Sequence, residues 1–185
     1  AGLVDALFGR LGIGMAEMEH VRRMLFTAFL KIHRTEYGRK EVLSDSRFKP
    51  LFKQCLIEDV SPSVRKEAIL SLREMCLFDT TTIPLRLFEV GWLNIVLKVI
   101  QHETDALTRH AALTLFEALM KGCGVVFAAV HANAVGILRE EINKTLELED
   151  GSGIGCSIIV ACIRCLSFLA QYEEGKLSIV QLGCL

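Results

Sequence analysis

Proline, tyrosine and tryptophan are scarce in this 185-residue chain, which holds three, two and one of them. So few prolines leave long stretches free to be helical, and no β-branched alternation bounded by turn pairs argues for strands. No apolar run reaches the ~18–20 residues that a membrane-crossing helix requires. The longest, 125–138 and 156–170, are broken by His131, Asn133 and Arg164 and read as helices buried on most sides. Charge of one sign is missing too. A net of −1 excludes a strong field toward nucleic acid or an anionic membrane across the whole chain.

The motifs of catalysis are equally thin. Cys162 and Cys165, with Cys156 upstream, have the spacing of half a zinc site. Zinc takes four ligands, no second such pair follows, and the histidines (20, 33, 102, 110 and 131) have no paired spacing. Gly9, Gly12 and Gly14, like Gly151, Gly153 and Gly155, lack the strand-turn-helix setting of a phosphate loop. Glu147, Glu149 and Asp150 would repel a phosphate from the second set, and Gly175-Lys176 is followed by Leu177, which has no hydroxyl for a metal. The expectation is a protein that is not an enzyme, with no catalytic residues, cofactor, metal or small-molecule substrate. Seven cysteines (55, 76, 123, 156, 162, 165 and 184) sit mostly at apolar helix positions and read as small buried hydrophobes in a reducing, cytoplasmic compartment.

What the chain does have is apolar residues, 51% of it, in a pattern that recurs. Ala68, Leu72, Met75 and Cys76 return as Ala112, Phe116, Leu119 and Met120, then as Cys162, Leu166, Leu169 and Ala170. The offsets are 44 and 50 residues, and a fainter copy (Leu25, Phe29, Ile32, His33) lies 43 residues upstream. Self-similarity at this period predicts stacked helical units, each covering its neighbour's apolar face. Helices are expected near 2–9, 17–33, 37–43, 47–57, 63–77, 83–90, 92–102, 106–121, 123–131, 133–147, 156–171 and 174–182. Ser61 and Asp105 are expected as N-caps, with Pro62 at a first helical position. Residues 147–155 read as one long mobile loop, and Trp92 as a plug between units. No boundary divides the chain into independent domains.

Val90-Gly91-Trp92-Leu93 before Leu107-Thr108-Arg109-His110-Ala111-Ala112-Leu113, and Leu182-Gly183 near the end, resemble the armadillo repeat, a relative of the HEAT repeat. That resemblance implies an all-α fold, a right-handed α-solenoid of three-helix repeats. In it a short first helix ends at a left-handed glycine corner, and Asn133 takes that glycine's place once. The implied divisions are a partial repeat over 1–35, repeats 36–78, 79–121 and 122–172, and the start of another over 173–185. Ala1 to Phe8 reads as a second helix lacking its first, so an internal piece of a longer protein is expected. Ser63-Val64-Arg65-Lys66-Glu67-Ala68 with the segments above further resembles the armadillo proteins of ciliary radial spokes. This implies a structural part in an axonemal complex of a cilium or flagellum.

In armadillo arrays the third helices line a groove. The Trp and Asn rows of nuclear-import receptors are absent, their places being held by Leu70 and Glu74, Thr114 and Ala118, Arg164 and Phe168. The candidate protein-binding groove is therefore mixed: Lys66, Arg73, Glu74, His110, Thr114, Arg164, Ser167 and Gln171. A candidate basic patch gathers Lys31, Arg34, Arg39, Lys40, Arg47, Lys49 and Lys53 around three acids, Glu36, Glu41 and Asp45. The expected partners are other proteins in a multi-subunit complex, with no nucleic acid and no membrane. A mean hydropathy of +0.39 favours lasting assembly over transient signalling. The alternative is an adaptor that binds extended client peptides.

Overall fold

The computed structural model describes residues 2–12, 18–122, 124–147 and 153–183. Cys123, Cys184, Gly14, Glu149, Asp150 and Gly151, named above, lie outside them. The described residues form twelve α-helices and no strand. In order they are α1 (Leu3–Leu11), α2 (Glu19–His33), α3 (Glu36–Ser44), α4 (Phe48–Ile57), α5 (Pro62–Phe78) and α6 (Thr82–Glu89). Then come α7 (Trp92–His102), α8 (Ala106–Leu119), α9 (Val125–His131), α10 (Ala134–Glu147), α11 (Gly153–Leu169) and α12 (Glu173–Gln181). No helix among the described residues is long and apolar enough to cross a membrane. The helices gather into two compact units, Ala1–Phe78 and Asp79–Leu185.

In the first unit α2 and α4 both pack against α5. The core is aromatic. Phe26 and Phe29 each stand edge-on to Phe52, with ring centres 5.2 Å apart, and Phe8 and Phe48 extend the cluster. In the second unit α8 is the central helix, packed on α7 and α11, and its core is aliphatic. Leu113, Phe116 and Leu119 of α8, Ile100 of α7 and Cys165 and Leu169 of α11 are all buried, and Trp92 is buried at the head of α7. The broken apolar run around Arg164 is explained by α11, whose Ala161, Cys162 and Cys165 face inward while Arg164 faces out.

The corners follow local chemistry. Thr35 Oγ1 accepts from Gly38 N at 3.0 Å and Asp105 Oδ2 from Thr108 N at 2.8 Å, which satisfies a first-turn amide in each helix. Ser61 does the same for Val64 at 3.4 Å, as its sequence position predicts. Gly91 precedes α7 at φ 86° and Asn133 precedes α10 at φ 59°, both left-handed. Asparagine tolerates that region better than other side-chain-bearing residues, so it can stand at a corner where glycine is the default.

One corner occurs twice, 44 residues apart, once in each unit. Asp59 Oδ1 accepts from Ser61 N, and Arg65 Nη1 donates back to the Asp59 carbonyl at 2.6 Å. Glu103 Oε1 accepts from Asp105 N, and Arg109 Nη1 donates back to the Glu103 carbonyl at 3.1 Å. Each corner is then tied to a further helix by a buried ion pair. Arg22 grips Asp59 with two bonds, 2.7 and 2.9 Å, and Arg109 Nε lies 2.7 Å from Glu141 Oε1. The Arg109 N–H is not aimed along that line, so the contact is Coulombic more than a well-formed hydrogen bond. Burial pushes the Glu141 carboxyl above its ordinary pKa, and Arg109 only partly opposes it.

Residues 153–155 correct the sequence reading, which left them in a loop. They open α11, and Gly155 is buried within it. Early helical positions cost glycine less than interior ones, because the first amides have no partner in the helix anyway.

Two glycines sit where no Cβ fits. A Cβ on Gly38 would meet the Ile32 carbonyl oxygen and lie 2.8 Å from Thr35 Oγ1; one on Gly175 would meet the Leu169 carbonyl, 2.7 Å from its carbon. Both glycines lie six residues past the backbone they touch, at the start of a short helix turning back on a long one. Alanine there is expected to destabilise by about 1–3 kcal/mol through overpacking. The same change at the uncrowded helical Gly9 should stabilise by up to about 1 kcal/mol. Urea melts of the three variants check this, and a stabilised Gly175→Ala would refute the crowding.

Candidate protein-binding surface

The eight predicted groove residues fall three in the first unit and five in the second. On α5, Lys66, Arg73 and Glu74 are half-buried, and Arg73 Nη1 reaches Glu74 Oε1 at 3.1 Å. Arg73 and Glu74 thus engage each other before any partner. Beside them the structure reveals an open cavity of about 250 Å³ lined by His20, Arg23, Met24 and Thr27 of α2 and Glu67 of α5. The sequence reading passed over these five. The 43-residue offset could have found them, since it pairs Arg23 with Lys66 and Met24 with Glu67.

In the second unit α8 and α11 lie against each other and carry the rest. His110 and Thr114 are half-buried on α8; Arg164 and Ser167 are exposed on α11, and Gln171 is exposed just after it. Arg164 Nη1 lies 3.9 Å from Glu117 Oε2, a half-solvated pair that ties the helices weakly. Thr114 and Ser167 donate their hydroxyl protons to carbonyls of their own helices, Ala111 at 2.8 Å and Ile163 at 2.9 Å. They therefore meet a ligand as acceptors. The surface suits mixed polar and apolar contacts with a protein.

The predicted basic patch thins out in three dimensions. Arg39 donates to the His33 carbonyl at 2.6 Å and lies over the Phe78 ring, 5.3 Å from its centre. Lys40 pairs with Glu36 across one helical turn at 2.7 Å. Arg47 forks onto Asp45, reaches Asp5 at 2.7 Å and covers the Phe8 ring. Those bonds raise the Arg47 pKa further and hold Asp45 below the usual carboxylate range. Lys31, Arg34, Lys49 and Lys53 remain exposed, two at the end of α2 and two a turn apart on α4.

Among the described residues no three His, Cys, Asp or Glu side chains come together as a metal cluster would. Cys162 and Cys165 are buried in α11, and burial pushes the Cys162 thiol up to about 12 and Cys165 well above its ordinary value. Cys55 is likewise raised to about 12. Thiols so raised are poor nucleophiles at neutral pH. Cys156 alone of the described cysteines is exposed.

His33, at the end of α2, is fully buried. Its Nδ1 lies 3.4 Å from Ser71 Oγ and its Nε2 has no hydrogen-bond partner. Burial, with Arg39 nearby, lowers its pKa to about 4. Compared with protein families, curated proteins and solved structures, the chain matches none of them.

Proposed function

We propose that this chain is a non-enzymatic protein–protein interaction scaffold, a right-handed α-solenoid of armadillo-like three-helix repeats working as a structural subunit of a larger assembly. The observation that carries this reading is the corner Asp59-Ser61-Arg65, which returns 44 residues on as Glu103-Asp105-Arg109 with the same hydrogen bonds. Recurrence of the same side-chain-to-backbone bonds at the sequence period is what a repeat array leads one to expect. Large apolar side chains left in water, among them Ile163, Leu177 and Val180, support docking onto other proteins. Buried, high-pKa thiols suit a reducing cytoplasmic setting. The likeness to radial-spoke armadillo proteins makes an axonemal complex the assembly to test first.

The open cavity beside Arg23, Met24 and Glu67 favours a second reading, an adaptor for extended client peptides, because its volume suits a single side chain. Native pull-down of the endogenous protein with mass spectrometry, in low and high salt, separates the two. The scaffold predicts a fixed set of stoichiometric partners surviving high salt, with axonemal proteins among them. A shifting, salt-sensitive set would sink it in favour of the adaptor.

A further inference from the structure

One face of α2 carries His20, Arg23, Thr27, Lys31 and Arg34, all exposed. Their successive spacings of 3, 4, 4 and 3 residues hold them in a single stripe, because a helix returns to the same face every ~3.6 residues. Among the described residues no carboxylate pairs with Arg23, Lys31 or Arg34. The neighbouring Arg22 points inward to Asp59, so two adjacent arginines serve different ends. Glu74, which holds on α5 the repeat position of Lys31, is already taken by Arg73. Exposure is a property of this row. His110 and Thr114 stand at the repeat positions of Arg23 and Thr27 on α8, and they are only half-buried although α7 and α11 both pack against that helix. At Arg23 and Thr27 the stripe also borders the cavity that Glu67 of α5 closes.

We infer that this stripe takes an acidic, extended segment of a partner protein, with one carboxylate at Arg23 in the cavity and a second at Lys31. The inference rests on the peptide-adaptor reading above and gives its client a chemistry. Unpaired cations attract carboxylates, and a guanidinium holds one with two parallel bonds. Arg23 and Lys31 are 8 residues apart, about 12 Å along a helix rising ~1.5 Å per residue. An extended chain covers that distance in about four residues of ~3.3 Å each, and residues four apart point to the same side. The cavity favours a polypeptide over a nucleic acid. Thr27 donates its hydroxyl proton to the Arg23 carbonyl at 3.2 Å, so it meets a ligand as an acceptor, and the Glu67 carboxylate is a second one. Peptide amides supply donors for both, whereas a sugar-phosphate backbone supplies none and is repelled by Glu67. Met24, 68% exposed beside them, gives a pliable apolar contact to a residue between the two acids.

Fluorescence anisotropy of a labelled peptide with two glutamates four positions apart tests this on the purified chain. Replacing both glutamates by glutamine should weaken binding about five-fold, the worth of two exposed ion pairs. Arg23→Glu with Lys31→Glu, which reverses the stripe, should weaken it by about ten-fold or more. Lys49→Glu with Lys53→Glu, the same change of net charge on α4, should leave it within about two-fold. All four side chains are exposed, and circular dichroism checks that both double variants stay folded. An equal loss in the two variants would overturn the proposal, since net charge alone would then account for binding. An oligothymidylate that binds as tightly as the glutamate peptide would overturn the choice of a protein. If the glutamine peptide binds as well as the glutamate one and Met24→Asp weakens both, the adaptor reading stands and the acidic client fails. If no peptide binds, both fail.

Discussion

Asp59→Ala is expected to remove about 3–5 kcal/mol of unfolding free energy, the cost of stranding a buried charge. The Asp59 carboxylate receives both Nε and Nη2 of Arg22, and the two side chains are only 2% and 6% exposed. It also accepts from Ser61 N at 2.9 Å, so its loss opens the turn before α5 as well. Arginine does not deprotonate in a protein, which leaves the guanidinium no cheaper state to adopt. Asp59→Asn, which keeps an acceptor for Ser61 without the charge, should fall between. The double variant Arg22→Leu with Asp59→Leu should recover much of the loss, because both desolvation penalties vanish together. Urea titration of the four proteins checks this, and a loss below about 1 kcal/mol in Asp59→Ala would mean that water reaches and screens the pair. Stability of a domain is typically about 5–15 kcal/mol, so the single change takes a large share of it.

The second large effect depends on pH. His33 has a folded pKa of about 4 against 6.5 in an open chain, because its ring is buried with Nε2 unpaired. Protons therefore bind the unfolded chain more readily. The contribution is complete above pH 6.5, declines as the pH falls toward 4, and is lost below that. The full loss is about 3 kcal/mol, from ~1.4 kcal/mol per pH unit. The cationic group facing His33 is Arg39 of α3, which bonds the His33 carbonyl and discourages an imidazolium. From α5 the neutral hydroxyl of Ser71 faces the ring. Glu141 works in the opposite sense, since its raised pKa makes protonation favour the fold as the pH falls. The readout is therefore a difference: His33→Leu should flatten the slope of stability between pH 6.5 and 4 relative to the parent. Parallel slopes would show that His33 is reached by water.

The helices were legible because their signals are local. The segment read as 92–102 is α7 to the residue, since Gly91 opens it in a left-handed corner and its apolar face is nearly continuous. The start of α11 was not legible, because Gly153 and Gly155 carry no helical preference and the burial of Gly155 depends on packing that its neighbours in sequence do not announce. Of the candidate surface, the sequence gives away the mixed character of α5 and α8 but not which charges are already engaged. Arg47 and Asp45 are two residues apart, yet Asp5 lies 42 residues away from Arg47. Arg22 and Asp59 are 37 apart, and nothing in either neighbourhood marks the pair. Long-range pairing is a property of packing, and composition counts every charge as solvated.

The two matching corners also bear on how the chain becomes folded. Asp59 to Ser61, Arg65 to Asp59, Glu103 to Asp105 and Arg109 to Glu103 all close over six residues or fewer. Loops that short form in well under a microsecond, ahead of any distant pairing. A nascent chain can then set each corner soon after that stretch of sequence is made, without waiting for its far end. Errors would concentrate where closure is long, at Arg22 with Asp59, and a ribosome paused between them would hold a charged helix with no mate.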